Sequence, residues 1–381
     1  MIAKLASRKA VLLTAVVGLT LLPAAAAFAA DGPKRVGPDP AAYAKTVSKG
    51  VNFLVSRGQA EDGSFSSFAG TGPTSLAITA LLRSGRTPND PAVAKGLKYL
   101  SDRVRENGAI CGKIPHFMNY ETCAAIMCFR EAGRTDQDKA LLAKARDYLR
   151  GIQWDEGNGH QKSDTGYGGI GYGGKSRPDL SNTAYVVDAL KACGAESGDE
   201  AIQKALAFVS RCQNLETEHN STPFAAKIND GGFYYTCMIG KQDEKRMTPN
   251  GGLRSYGSMT YSGLKSMIYA GLTEDDPRVK AAVTWIRKHY DVKSNPGMGD
   301  AGLYYYYQLF AKALHAMGED YVEDAAGLKH DWRRELAEEL AARQKEDGSW
   351  VNTDRRWMET DPNLVTSFAL LALSYCRPPA E

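Results

Sequence analysis

Beyond its first thirty residues, the 381-residue chain has no apolar run long enough to cross a bilayer, which takes about 20 residues. It has almost no charge imbalance. The first thirty residues hold three of the 47 Lys+Arg and none of the 44 Asp+Glu, so the remainder is balanced at 44 of each sign. A balanced chain excludes nucleic acid or an anionic membrane surface as the main partner. There is no C-x-x-C pair and no Cys/His cluster. The six histidines (His116, His160, His219, His289, His315 and His330) are scattered without ligand spacing. A zinc site needs three or four converging ligands, so the sequence implies no metal and no cofactor.

The cysteines are few and odd in number, seven in all. Cys123, Cys128, Cys193 and Cys376 sit in apolar helical runs, where a buried free thiol is the plain reading. Cys111, Cys212 and Cys237 lie nearer loops. Spacing alone assigns no pairs.

What is present at the start reads as an export signal. Lys4, Arg8 and Lys9 form a basic beginning, residues 10–22 an apolar stretch, and Ala27-Phe28-Ala29 a small-x-small cleavage site. The competing reading is an N-terminal membrane anchor, and the shortness of the apolar run favours cleavage. We expect a signal peptide over residues 1–29, a linker over 30–41, and one domain over 42–381 in a periplasmic or secreted protein. About 350 residues suffice for a large core.

Two copies of one motif lie near the ends of that domain: Gln59-Ala60-Glu61-Asp62-Gly63-Ser64-Phe65 and Gln344-Lys345-Glu346-Asp347-Gly348-Ser349-Trp350. An Asp-Gly pair suits a tight turn because Gly takes positive φ freely. A turn used twice signals a repeat architecture. A second pattern recurs six times, a small residue followed three later by a large apolar one and then a smaller apolar one: Gly50-Phe53-Leu54, Gly96-Tyr99-Leu100, Ala145-Tyr148-Leu149, Ala205-Phe208-Val209, Ala282-Trp285-Ile286 and Ala337-Leu340-Ala341. Residues three apart share a helix face, and the flanks are charged, so these are amphipathic helices. Each is followed by a polar or Gly-rich loop and a more apolar helix, expected near 74–83, 120–131, 182–192, 259–269, 303–316 and 363–374. Six amphipathic outer and six apolar inner helices predict an all-α fold, a closed (α/α)6 toroid. An open solenoid is the alternative, and the turn shared by the first and last units favours closure.

These residues resemble the squalene cyclase and protein prenyltransferase superfamily. The Gln-x-x-x-Gly-Ser-aromatic turn is similar to the repeated Gln–Trp motif of the triterpene cyclases, and Asp230-Gly231-Gly232-Phe233 to the Gly-Gly-Phe turns of the same superfamily. The resemblance implies a terpenoid cyclase-type toroid and covers roughly residues 42–376. Squalene-type cyclases have two such barrels, and this chain has room for one. The chemistry of the family does not come with the fold. The Asp-x-Asp-Asp acid motif of the cyclases is absent; Thr273-Glu274-Asp275-Asp276 lacks its first Asp and precedes Pro277 in a helix-opening loop. The Asp-x-Cys of the prenyltransferases and the Gly-Cys-Gly-Glu-Gln of thioester domains are absent too.

In a helical ring, the loops entering the inner helices surround the cavity mouth, and four are rich in chemistry. Residues 164–174 alternate Gly with Tyr167 and Tyr172 and lead into Arg177, Asp179 and Asn182. Residues 250–261 carry Arg254, Tyr256 and Tyr261. Residues 296–307 end in four consecutive tyrosines, so at least one, such as Tyr305, points inward. Residues 355–363 carry Trp357, Glu359 and Asp361. A carboxyl group desolvated in such a mouth has a raised pKa and can donate a proton, which makes Asp179, Asp230 and Asp361 candidate acids. Tyr167, Tyr172, Arg177, Asn182, Arg254, Tyr256, Tyr261, Tyr305 and Trp357 are candidate ligand contacts. Three functions fit this pattern. The first is an apolar, isoprenoid or lipid-like ligand site, with or without metal-free isomerase or cyclase chemistry. The second is a polysaccharide-processing ring. The third is a non-catalytic scaffold binding a protein on its loop face through the polar insertion at 215–250.

Overall fold

A computed structural model describes residues 36–174 and 176–379. The expected signal peptide lies outside the described residues, and the expected linker lies outside them up to residue 35. The outer helices are α1 (Pro40–Phe53), α3 (Pro91–Ser101), α5 (Thr135–Gly151), α7 (Glu200–Arg211), α10 (Pro277–Lys288) and α12 (Trp332–Arg343). The inner helices are α2 (Gly72–Arg83), α4 (Met118–Ala132), α6 (Leu180–Ala192), α9 (Gly257–Tyr269), α11 (Leu303–Met317) and α13 (Pro362–Ser374). A short helix α8 (Ala225–Ile228) lies in the insertion, and a hairpin of two-residue strands, Val322–Glu323 against Lys329–His330, links α11 to α12.

The inner helices touch in the order α2, α4, α6, α9, α11, α13 and back to α2, so the ring is closed. Each is buried nearly all round: residues 72–81 of α2 and 364–373 of α13 are buried without a break. A helix covered on every side has no need of a polar face. The outer helices bury one stripe, such as Val93, Gly96, Leu97, Tyr99 and Leu100 in α3. The small residue of the repeated pattern is where the layers approach most closely. A Cβ on Gly96 would lie 2.3 Å from Ile78 Cδ1, and one on Gly50 would lie 2.8 Å from the Trp350 ring. Side-chain caps from Asp39, Asp179, Asp199, Asp276, Asp331 and Asp361 start six of the helices.

The turn motif proves to be a clamp between units, and it occurs four times. Gln59 Nε2 donates to the carbonyls of Gly63 (3.0 Å) and Ala92 (2.7 Å). Gln153 does the same to Gly168 (2.8 Å) and Ala201 (2.9 Å), and Gln213 to Gly231 and Arg278 (both 2.9 Å). Gln344 binds Gly348 and Thr46, both at 3.0 Å. In every case the second carbonyl belongs to the outer helix of the following unit. Only the last copy reaches back to α1, where it joins α13 against α2 in closing the ring, while the first copy joins units one and two. All seven cysteines are free thiols, and six of them are buried.

Candidate functional site

Because an outer helix separates successive inner helices, the inner six run parallel and their N-termini gather on one face. Their first turns line a common chamber of about 210 Å³: Pro73 of α2, Tyr120 of α4, Ser181 and Tyr185 of α6, Ser258 and Met259 of α9, Tyr305 of α11, Leu364 and Phe368 of α13. Phe117, Tyr172, Tyr235, Tyr256, Trp357 and Met358 from the loops complete it. The rings pack on one another. Tyr120 meets Tyr185 at 5.0 Å, Tyr185 stacks on Tyr305 at 6.4 Å, Tyr305 leans on Phe368 at 5.8 Å, and Phe117 meets Tyr172 at 5.3 Å. Ser181 Oγ and Tyr305 Oη share a hydrogen bond of 2.8 Å inside it. Of the four consecutive tyrosines, Tyr305 alone points into the chamber. Tyr306 and Tyr307 turn outward, donating to the carbonyls of Asp291 (2.6 Å) and Val292 (2.9 Å).

A second cavity of about 370 Å³ adjoins the first and shares Tyr235, Tyr256 and Trp357 with it. Much of its wall comes from the insertion, through Tyr234, Ile239, Asp243, Lys245 and Arg246, with Arg254 and Arg356 opposite. Trp357 is 44 % exposed at the junction. Its φ is +50°, and that of Met358 is +61°. Bulky residues rarely adopt this conformation. The ring of Trp357 lies over Gly302, where a Cβ would come within 2.9 Å of it.

Carboxylates secure the loop backbones around this mouth. Glu359 is fully buried and accepts from the N–H groups of Tyr305 (2.8 Å) and Tyr304 (3.3 Å) and from Asn352 Nδ2 (2.7 Å). Burial raises its pKa against those hydrogen bonds. Glu121 Oε2 accepts from Thr71 N (2.8 Å), Thr71 Oγ1 (2.8 Å) and Gly112 N (2.7 Å), tying the loop before α2 to the loop before α4.

The three candidate acids are separated by the structure. Asp179 is buried at the start of α6, and burial pushes its pKa up to about 6. Its oxygens accept from Asn182 N and Asn182 Nδ2, both at 2.8 Å, and Tyr235 lies near enough to the carboxyl to oppose the upward shift. Tyr235 in turn contacts Tyr172 and lines both cavities. Asp179 itself lines neither cavity, and its neighbour Tyr235 lines both. Asp230 is exposed on its turn, holding Gly232 N (3.0 Å), Ser255 Oγ (2.7 Å) and Trp285 Nε1 (3.1 Å). Asp361 caps α13 through Leu364 N (2.8 Å) and binds Ser66 Oγ (2.7 Å). Neither of these two lines a cavity.

Among the candidate contacts, Tyr172, Tyr256, Tyr305 and Trp357 meet in the chamber, and Arg254 lies in the second cavity. The other four do not. Arg177 is held in an ion pair with Asp243 at 2.5 Å, and Asn182 faces Asp179. Tyr167 lies in an outer loop, donating to Glu156 at 3.0 Å. Tyr261 is turned into the helix layer against Phe310 (5.0 Å) and Tyr306 (5.7 Å). Sequence reasoning missed Tyr120, Tyr185, Phe117, Phe368 and Tyr235. Tyr120 and Tyr185 had a readable signal, an aromatic in the first turns of an expected inner helix. Tyr235 had none beyond lying two residues after the Gly-Gly-Phe turn.

Below the chamber floor the ring is filled by charge. Asp188 (α6), Lys265 (α9) and Lys312 (α11) stand eight or nine residues into their helices, roughly 12 Å down. Asp188 Oδ2 accepts from both ammonium groups at 2.6 Å. Burial would raise the Asp188 pKa, but the two lysines outweigh it and hold it below the usual value. Burial, helped by Lys312, lowers Lys265 to about 8 against the pull of Asp188. Two cations for one anion suit this end of the ring, because the inner helices point their negative C-terminal dipoles toward it. Among the described residues, no group of three or more His, Cys, Asp or Glu can hold a metal ion, and no helix is long and apolar enough to cross a membrane.

Residues 71–257 match the family model of the squalene-hopene cyclase C-terminal domain. No curated protein sequence matches the chain. Among solved structures, the chain is similar to apo type II terpene cyclase MstE from Scytonema, at 15% identity over 89% of this chain and 98% of that one, with a TM-score of 0.54. It is similar to a variant of MstE in complex with geranylgeranyl dihydroxybenzoate (substrate), at 14% identity over 89% and 97%, with a TM-score of 0.51. It is also similar to a novel alpha-amylase from Clostridium perfringens, at 12% identity over 87% and 97%, with a TM-score of 0.52. These likenesses show that the chain has the α/α-toroid fold.

Proposed function

We propose that this protein is an exported toroid that binds an apolar, isoprenoid- or lipid-like ligand in the chamber, with Asp179 and Tyr235 positioned for acid chemistry upon it. The observation that carries the reading is the chamber itself, an open space walled by aromatic rings where six inner helices begin. A ring serving only as a scaffold has no need of that space, and a glycan needs polar partners that this wall does not offer in number. Aromatic faces suit an apolar chain and attract any positive charge that develops on it.

The acid step follows from the buried carboxyl. With its pKa raised to about 6, Asp179 keeps its proton in mildly acidic surroundings and sits within one phenol of the ligand. The Tyr235 hydroxyl, between Asp179 and the chamber, passes a proton to an alkene or carbonyl of the ligand as Asp179 resupplies it. The rings of Tyr185, Tyr305 and Phe368 then face the cation that results. The likeness in fold to a terpene cyclase supports the direction of this reading. The test is to purify the mature protein from its native host, extract it with organic solvent and identify bound molecules by mass spectrometry. A stoichiometric isoprenoid or lipid is expected. A soluble oligosaccharide, or a clean extract from protein that takes up no lipid in vitro, overturns it.

A further inference from the structure

Cys212 directly follows α7, and the insertion after it folds back so that Cys237 lies beside it. The two segments form a short antiparallel ladder. Asn214 N donates to the Gly232 carbonyl (2.8 Å), Gly231 N to that of Asn214 (2.9 Å), and Tyr234 N to that of Cys212 (3.0 Å). Gln213 and Phe233 face one another across it. The Tyr234 hydroxyl donates to the Arg211 carbonyl at 2.6 Å and closes the end. Beyond the ladder the chain passes Tyr235 over the chamber and turns inward. There the Cys237 thiol lies close enough to that of Cys212 for the two to perturb one another, and it donates to the Thr165 carbonyl at 3.4 Å. Both residues are buried, at 0 % and 4 % exposure. Of the other thiols, Cys128 lies near Thr79, Cys111 near Arg105, and Cys376 donates to the Ala372 carbonyl at 3.5 Å; Cys123 and Cys193 influence one another, but neither lies on the insertion.

We propose that Cys212 and Cys237 are a disulfide-forming pair that closes residues 212–237 into a covalent loop and fastens the Tyr235 wall of the chamber. The reagent is a small external disulfide such as oxidised glutathione. The Cys212 thiolate attacks one of its sulfurs and releases the first thiol. The Cys237 thiolate then attacks Cys212 Sγ in the mixed disulfide and releases the second. The protein loses two electrons and two protons, and the reagent takes up both. Burial raises the Cys212 thiol well above its ordinary value, so the thiolate is scarce in the folded dithiol form. The bond therefore forms fastest while the insertion is still docking. Once formed, it holds the residues that line both cavities, because Tyr234, Tyr235 and Thr236 lie inside the closed loop.

The full chain is refolded in a mixture of oxidised and reduced glutathione, alkylated without reduction, digested and mapped by mass spectrometry. Two of the seven thiols should escape alkylation, the intact protein should be about 2 Da lighter, and the peptides bearing Cys212 and Cys237 should be joined. In Cys212→Ser all six remaining thiols should be alkylated. Because that variant can fold poorly, a second readout uses wild-type protein. Proteolytic cuts inside residues 212–237 should leave fragments that separate only on reduction. Alkylation of all seven thiols, a bond between any other pair, or a glutathione adduct on either cysteine without the link overturns the proposal.

Discussion

Gln344 donates one hydrogen bond to the Thr46 carbonyl at 3.0 Å, across 298 residues of chain, and a second to the carbonyl of Gly348. This one side chain spans the seam where the last unit meets the first. Gln344→Ala leaves both carbonyls without this donor, and we expect a loss of about 1–3 kcal/mol in urea unfolding. Gln59→Ala, which breaks an internal junction of the same design, should cost a similar amount. A seam variant that unfolds like wild type would mean that the other contacts between α13 and the first unit close the ring without it.

Gly348 has φ +89°, and a Cβ there would lie 2.3 Å from the Lys49 carbonyl oxygen. Gly348→Ala therefore meets both left-handed strain and a backbone clash, and should cost more than the 1–3 kcal/mol of strain alone, to order of magnitude. Gly318 has φ +77° with nothing within 4 Å. Gly318→Ala should cost about 1 kcal/mol, so the difference in unfolding midpoint isolates the clash.

Asp188 is the counter-charge to both Lys265 and Lys312. Asp188→Asn strands two buried cations and should cost about 3–5 kcal/mol. Lys265→Met leaves a one-to-one pair of Asp188 with Lys312 and should cost much less. The pH dependence has a defined sign. A lysine lowered from 10.5 to about 8 in the folded state is harder to protonate there than in the unfolded chain. Its penalty is present below pH 8 and is relieved as pH rises toward 10.5. Relative to Lys265→Met, wild type should therefore gain stability between pH 8 and 10. A constant difference over that range would place the charge elsewhere.

Asp179 shows the opposite displacement, its pKa raised from 3.8 to about 6. The folded state holds this proton more tightly, so the group's contribution to stability falls as pH rises from 3.8 to 6, by about 2–3 kcal/mol. Asp179→Asn should flatten that slope in unfolding measured across the same range. Once a turnover assay exists, the same variant should lose about 10²–10⁴ in rate. Asp230→Asn and Asp361→Asn should change stability and leave the rate alone. Equal rates in all three would remove Asp179 from the chemistry.

Ala69 lies at the chamber's rim, at the end of a half-exposed single 3-10 turn (Ser67–Ala69), and surface substitutions mostly change stability by under about 0.5 kcal/mol. Ala69→Trp should reduce lipid recovered by solvent extraction, with an unchanged thermal midpoint. Undiminished recovery would show that ligands enter by another route.

The sequence by itself determined the twelve long helices, their alternation of outer and inner layers, and the turns between them. Each rests on local physics: a helix face repeats within four residues, Asp caps its own helix, and Gly63 and Gly348 take positive φ whatever lies beyond. The clamps at Gln153 and Gln213 are not legible as copies of that turn, because 15 and 18 residues separate each glutamine from its glycine where Gln59 and Gln344 stand four away. Tertiary structure alone decided which side chains share a space. Tyr304 to Tyr307 are equivalent in sequence, and only the neighbouring helices send Tyr305 inward and its neighbours out. Asp188 meets Lys265 and Lys312 across 77 and 124 residues, and Tyr235 comes near Asp179 from within an insertion. Such contacts depend on how a closed ring brings distant helices face to face, a geometry that no local pattern encodes.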